Sequence, residues 1–258
     1  MEDTIIFGGK SKMEGSQHLS IVIPAYNEAE RLGNTIEAII DFMELELGPG
    51  GRLDGLISAY DISVVDDGSS DSTCEIASSK ANCIRQPKNL GKGAAVRRGM
   101  LEARGGLILF SDADLSTPIH ELINLMERLA TGFDIAIGSR GIDYGKIKKH
   151  QPAYREFMGK AFNKIVQFLA IKGLRDTQCG FKLFTNNAAN NIFSKAEVDG
   201  FGFDVEVLFL ADRLGYKIAE VPVEWHNDER TTVNPILDPI KMLLDIIKLK
   251  RKHGKIKA

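Results

Sequence analysis

Residues 107–118 read LILFSDADLSTP, and the fold turns on what this stretch is. Leu107–Phe110 is a short apolar run without polar alternation, the pattern of a strand buried on both faces. It ends on Ser111-Asp112-Ala113-Asp114, and Pro118 then stands at the first position of a helical pattern running to Ala130. Two carboxylates one residue apart at a strand exit can face one cleft and hold a hard divalent cation. Mg²⁺ or Mn²⁺ keeps several waters and takes further ligands from substrate phosphates, so few protein ligands are needed. A lone DxD is more often a turn or a helix cap, and its surroundings must decide.

Those surroundings repeat the pattern. Upstream, Leu19–Pro24 reads as a buried strand and Glu28–Leu47 as a helix with Leu32, Ile36, Ile39, Ile40 and Met43 on one face. A Gly/Pro breaker at Gly48–Gly55 precedes a strand at Ile62–Val65, a helix at Ser70–Ser79, a strand at Cys83–Arg85 and a helix at Gly93–Arg104. Downstream, Phe133–Gly138 is another strand. Strands and helices alternating in this way predict an α/β fold with a mainly parallel sheet, in which ligands sit at the carboxyl ends of the strands. Two further exits are acidic: Pro24-Ala25-Tyr26-Asn27-Glu28 after the first strand, and Asp66-Asp67-Gly68-Ser69-Ser70-Asp71 after the second. Each alone is an ordinary Asx turn or helix start. Three acidic exits in one sheet point together to a ligand site.

Asn89-Leu90-Gly91-Lys92-Gly93-Ala94 opens a helix with glycine, as a phosphate-binding turn does. It is neither a Walker A loop nor GxGxxG, because Val96 holds the last glycine position, so P-loop NTPases and Rossmann dehydrogenases lose support. Gly138-Ser139-Arg140 sets a guanidinium at another strand exit, suited to a phosphate. No G-x-S-x-G elbow is present, and His18, His120, His150, His226 and His253 show no metal-ligand spacing. Trp225, the single tryptophan, reads as core.

The chain has 258 residues and a net charge of −2, which argues against a general nucleic-acid binder. The charge is unevenly spread: residues 235–258 carry +5, the remainder −7, and Arg140–Lys172 alone +6. Tyr154, Phe157, Met158, Ala161, Phe162, Ile165, Val166 and Leu169 make a helical stripe inside that basic segment. Phe181–Phe184 and Lys217–Val223 read as strands, Asp204–Leu214 as a helix, and the tail from Pro235 as a basic amphipathic helix suited to an anionic membrane interface. No run of about 18 apolar residues occurs, so a membrane span is not expected. Cys74, Cys83 and Cys179 form no CxxC pair and leave an odd thiol, which predicts neither a zinc ribbon nor a disulfide framework and points to a reducing compartment.

Taken in order, IVIPAYNE (21–28), VVDDGSSD (64–71), NLGKGAAV (89–96), SDADLSTP (111–118) and GSR (138–140) resemble the family 2 glycosyltransferases of GT-A fold, over Leu19–Trp225. DTQCGFKLF (176–184) and FDVE (203–206) look like the dolichyl-phosphate β-glucosyltransferase branch. The resemblance implies an N-terminal extension at 1–18, a GT-A domain at 19–234 and the basic helix at 235–258. It implies that Pro24, Tyr26, Glu28, Asp66, Asp67, Lys92 and Ala113 line the nucleotide-sugar pocket together with Asp112 and Asp114. Those two aspartates would hold Mg²⁺ or Mn²⁺, with Asp114 the main ligand. Arg140 would face the donor diphosphate or the acceptor phosphate, and Arg155 the acceptor phosphate; Asp112, Asp114 and Arg140 would be the catalytic set. Ser116 departs from the family, standing where mannosyltransferase relatives carry Gln. The implied activity is inverting transfer of glucose from UDP-glucose to a polyprenyl or dolichyl phosphate by a peripheral protein on the cytoplasmic face of a membrane. Mannosyl transfer from GDP-mannose is the alternative, and a non-catalytic sugar-nucleotide-binding subunit the alternative from another class, against which the intact Asp112/Asp114 pair counts. A nucleotidyltransferase would carry a Gly-rich basic loop where PAYNE stands.

Overall fold

A computed structural model describes residues 16–149, 152, 158–159, 162–167, 170–171, 173–228, 230 and 237–254. Among them, seven strands form one sheet in the order β3-β2-β1-β4-β7-β5-β8. The strands are β1 (Gln17–Ala25), β2 (Ile57–Asp66), β3 (Asn82–Arg85), β4 (Leu107–Ser111), β5 (Ile135–Ser139), β7 (Phe181–Thr185) and β8 (Ile218–Pro222). A separate ribbon pairs β6 (Ile147–Lys149) with β9 (Trp225–His226). The expected mainly parallel sheet is present, with β7 inserted antiparallel between β4 and β5.

Each central strand is buried on both faces, because alternate side chains enter different cores. Leu19, Ile21 and Ile23 of β1, with Leu107 and Leu109 of β4, join α1 (Leu32–Leu47) and α4 (Leu122–Ala130) in one cluster. Val22, Ile108 and Phe110 face the other way, onto α3 (Lys92–Glu102), α5 (Asn186–Phe193), α6 (Phe203–Arg213) and α7 (Leu237–His253). This layering leaves the ends of β1, β2 and β4 level. Ala25 pairs with Asp66, and Asp67 N–H donates to Ala25 O at 2.8 Å. The three acidic exits therefore lie along one edge.

The structure revises several expectations. The first helix begins at Leu32 rather than Glu28, because the amides of residues 27–29 bond to side chains of the β2–α2 loop, with α2 spanning Thr73–Ser78. Pro118 precedes a 3₁₀ turn, Ile119–Glu121, before α4. Cys74 and Cys83 are joined by a disulfide between α2 and β3, Cα atoms 5.9 Å apart, where no disulfide was expected. Spacing does not reveal it, since the pair meets only once α2 packs beside β3. Trp225 is buried, as expected. Of the Tyr154–Leu169 stripe, residues 162–167 are helical, Val166 is buried and Ile165 exposed, while Tyr154, Phe157, Ala161 and Leu169 lie outside the described residues. Helix α7 buries Met242, Ile246 and Leu249 against the domain and exposes Ile240, Leu244 and Ile247. No described helix is long and apolar enough to cross a membrane.

Candidate active site

The β1–α1 and β2–α2 loops are laced together. Asn27, at φ 54°, donates its N–H to Ser69 Oγ at 2.9 Å, and its Oδ1 accepts from Ser70 N–H at 2.9 Å. Glu28 N–H donates to Thr73 Oγ1 at 2.8 Å. Pro24 is buried within β1, whereas Tyr26 is exposed at the rim. Glu28 is not open to a ligand hydroxyl: its carboxylate takes both Nε and Nη2 of Arg31, whose Nη1 lies 3.0 Å from Asp228.

Asp66 and Asp67 are buried and engaged. Asp66 Oδ1 accepts from Ser69 N–H at 2.9 Å, and its Oδ2 lies 3.3 Å from Arg85 Nε. Asp67 accepts from Gln86 Nε2 at 2.6 Å and from the amides of Leu90 and Gly91, both at 2.8 Å. The glycine loop of 89–94 thus turns two amides onto an internal carboxylate rather than presenting them to a phosphate. Gly91 needs its lack of a side chain, since φ is +106° and a Cβ would stand 2.4 Å from Asp199 O. This geometry fixes Lys92, the first residue of α3, against Asp112: Lys92 Nζ lies 2.6 Å from Asp112 Oδ1. Burial opposes the ammonium charge, yet the carboxylates of Asp112, Asp204 and Asp114 raise its pKa above the usual lysine value.

Asp112 is also held by its own N–H, which donates to Gly180 O at 2.9 Å. A Cβ on Gly180 would overlap the Asp112 carboxylate, which explains the glycine. Ala113 is buried and its carbonyl accepts from Thr35 Oγ1 at 2.6 Å, so this residue faces α1. Asp114 Oδ1 accepts from Ser116 N–H at 2.9 Å. Burial first, and the Asp112 charge second, push the Asp114 carboxyl above the ordinary range, with Ser116, Lys92 and Arg31 acting against them. Asp114 borders a cavity of about 390 Å³ whose wall also carries Ser116, Lys149, His226, Asp228 and Arg230.

Arg140 sits at the end of β5, where its Nε and Nη2 bond Asp176 at 2.6 and 2.9 Å and its guanidinium lies 5.4 Å from the Trp225 ring centre. The group is therefore oriented by an internal carboxylate and an aromatic face. Arg155 lies outside the described residues. Cys179 is no nucleophile: burial first, then the Asp176 charge, push its thiol up to about 11.

Among the described residues, no three His, Cys, Asp or Glu side chains converge on one point. The Asp112/Asp114 pair nonetheless fits a divalent ion completed by substrate oxygens. It holds two carboxylates at one strand exit, and one of them, Asp114, lines the cavity in which substrate oxygens could complete the ion's ligands.

Motif reading assigned no site role to Arg31, Lys149, Asp176, His226, Asp228 or Arg230, although Asp176 opens the DTQCGFKLF segment. Arg31 stands three residues after Glu28, a spacing that permits a local pair. Lys149, His226, Asp228 and Arg230 carry no local signal and meet the site only through the chain's path.

The description "Glycosyl transferase family 2" belongs to the family model that matches residues 20–193. A dolichyl-phosphate beta-glucosyltransferase of Trichomonas vaginalis is 35% identical over 243 residues, covering 90% of this chain and 70% of that one. Those of Dictyostelium discoideum (35%; 92% and 75% covered) and Homo sapiens (33%; 92% and 76%) are comparably similar. Among solved structures, mannosyl-3-phosphoglycerate synthase from Rubrobacter xylanophilus superposes with a TM-score of 0.65 at 19% identity, over 94% of this chain and 76% of that one. Glucosyl-3-phosphoglycerate synthase from Mycobacterium tuberculosis, crystallised with Mn²⁺, UDP and glucosyl-3-phosphoglycerate, gives 0.62 at 20% identity, over 92% and 80%. These structural likenesses show the GT-A fold.

Proposed function

The chain belongs to glycosyl transferase family 2, and from that premise we propose that it transfers glucose, with inversion, from UDP-glucose to a polyprenyl phosphate such as dolichyl phosphate. The observation that carries this reading is the Asp112/Asp114 pair at the exit of β4, of which Asp114 lines a cavity together with Lys149, His226 and Arg230. The names of the relatives support glucose and a dolichyl acceptor, and the UDP and Mn²⁺ of the GT-A neighbour are compatible with the donor and the metal.

Inverting transfer needs an in-line nucleophile and a stabilised leaving diphosphate. A lipid monophosphate has a second pKa of about 6 and is already an oxyanion near neutral pH. No strong base is then required, in keeping with a site whose only nearby thiol is protonated. Tyr26 offers a base-stacking face at the rim, and Asp66 and Asp67 hold the walls of the nucleoside pocket. Asp112 and Asp114 would hold Mg²⁺ or Mn²⁺, which supplies Lewis acidity at the diphosphate when bound. Arg140 would present a fixed cation to a phosphate, and Arg155 would guide the acceptor. Catalysis rests on positioning and on charge aimed at the leaving group.

The acceptor's lipid places the reaction at a membrane surface, in this reading the cytoplasmic face. The exposed Ile240, Leu244 and Ile247 of α7, beside the basic residues of 235–258, support an interfacial role for that helix. The experiment is a transfer assay with a short polyprenyl phosphate, Mg²⁺ or Mn²⁺, and UDP-glucose or GDP-mannose in parallel. Lipid product from UDP-glucose alone is expected. Product from GDP-mannose alone moves the assignment to mannosyl transfer, and product from neither overturns the reading.

A further inference from the structure

The disulfide between Cys74 and Cys83 joins two half-buried residues, one on α2 and one on β3, the last strand at its edge of the sheet. The elements it joins hold one loop at its two ends. From α2, Thr73 Oγ1 accepts Glu28 N–H at 2.8 Å, and just before the helix Asp71 Oδ2 accepts Ala29 N–H at 3.2 Å. From β3, Arg85 Nε lies 3.3 Å from Asp66 Oδ2 and its Nη2 donates to Ser69 O at 3.1 Å. Gln86, the next residue, donates to Asp67 at 2.6 Å. The β2–α2 loop, and through it the β1–α1 loop, is thus clamped between α2 and β3. Helix α2 depends on such ties: it has six residues, no side-chain bond capping its start, and only Thr73 and Ala77 buried. A helix this short does not hold its shape alone. Strand β3 has its own ladder to β2 over Asn82–Arg85, so opening the disulfide frees α2 and leaves the sheet paired.

We propose that Cys74 and Cys83 form a reversible thiol–disulfide site, exchanged by a low-molecular-weight thiol, that sets how firmly the β1–α1 and β2–α2 loops hold a nucleotide. In the exchange, a small-molecule thiolate attacks one sulfur, a mixed disulfide forms, and the other cysteine leaves as thiolate. A second small thiolate then attacks the small-molecule sulfur of the mixed disulfide and frees the first cysteine. The protein gains two electrons and two protons, and the two small thiols lose them as they join in a disulfide. The oxidised pair keeps both loops preorganised. The reduced pair lets α2 loosen, so that binding must first order the loops. The nucleotide half of this inference rests on the donor reading given above; the exchange and the loosening do not.

The test equilibrates the full chain against reduced and oxidised glutathione, traps free thiols and reads them by peptide mass spectrometry. Cys74 and Cys83 are expected to open together in millimolar reduced glutathione, without denaturant, and to close again in oxidised glutathione. A bond that stays closed, or that does not re-form, overturns the reversible site. Hydrogen exchange at the amides of Asn27, Glu28 and Ser69, each bonded to a side chain, is expected to be about tenfold faster in the reduced protein. Equal exchange overturns the clamp. UDP, titrated calorimetrically with Mn²⁺, is expected to bind the reduced protein about fivefold more weakly. Equal affinity overturns the link to the nucleotide. If neither redox form binds UDP, the donor reading falls, while labelling and hydrogen exchange still decide the site. The double variant Cys74→Ser, Cys83→Ser should match the reduced wild type and ignore glutathione. A double variant that still responds to glutathione overturns the proposal.

Discussion

Arg140 grips Asp176 through two side-chain hydrogen bonds, Nε to Oδ2 at 2.6 Å and Nη2 to Oδ1 at 2.9 Å, and adds a third from its own backbone N–H to Oδ2 at 3.0 Å. The carboxylate is almost wholly buried, so the pair is fork-to-fork in a low-dielectric setting. Around it, Glu220 accepts from the amides of Arg175 and Asp176 and from Ser139 Oγ. The end of β5, the 175–178 segment and β8 are thereby joined through three charges.

Breaking one partner of such a pair leaves the other uncompensated. Asp176→Leu is expected to cost about 3 kcal/mol in urea unfolding. Adding Arg140→Met should recover part of that loss, because two apolar groups leave no stranded charge. A double variant less stable than either single one counts against the pair as the source of the effect.

The same pair has a pH signature. Burial alone would raise the Asp176 carboxyl, but the Arg140 guanidinium, with the amides of Arg140 and Gln178, brings it down to about 2. The unfolded chain titrates near the ordinary value of about 3.9. A depressed folded value gives stability that is complete above the unfolded pKa and lost as pH falls through the folded one. The stability gap between wild type and Asp176→Asn should therefore narrow by about 2 kcal/mol on going from about pH 5 to about pH 2. A gap that stays constant over that range excludes a depressed Asp176.

Asp114 should behave in the opposite sense. Its carboxyl is raised, first by burial and then by the charge of Asp112, so in the ligand-free protein it is held against its preference. Asp114→Asn is expected to abolish transfer and Mn²⁺ uptake while Tm, by calorimetry, stays level or rises by about 2 °C. Undiminished transfer removes Asp114 as a metal ligand. A large fall in Tm shows instead that its bond to Ser116 N–H matters more than the repulsion.

What was legible in the sequence was local. Buried strands such as Leu107–Phe110 announce themselves by composition, and an acid directly after a strand must emerge at its end. The sequence does not declare that β7 runs antiparallel, since its direction depends on where the chain has travelled since β5. Nor does it declare the partners of the charges. Lys92 with Asp112, Arg140 with Asp176 and Arg31 with Asp228 meet only through tertiary packing. The loop at 89–94 shows the consequence. As a string it reads like a phosphate cradle, yet Asp67 takes the amides of Leu90 and Gly91, and the side chain of Lys92 pairs with Asp112.

The basic tail allows a test that separates surface from core. Deleting residues 235–258 would strip Met242, Ile246 and Leu249 from the interior, together with His253, whose Nε2 lies 2.8 Å from the buried Glu206. Any loss of membrane binding would then be confounded by unfolding. Ile240→Ser, Leu244→Ser and Ile247→Ser together leave that buried face intact and remove only side chains that are each more than half exposed. If the stripe enters a bilayer interface, the triple variant gives up about 3 kcal/mol of apolar transfer, about a hundredfold in partition. Flotation with vesicles containing anionic phospholipid should show that loss at unchanged Tm. Raising the salt should weaken the wild type further, by screening the basic residues that flank the stripe. Equal flotation of wild type and triple variant would assign the membrane contact to another part of the chain, because no other change distinguishes the two proteins.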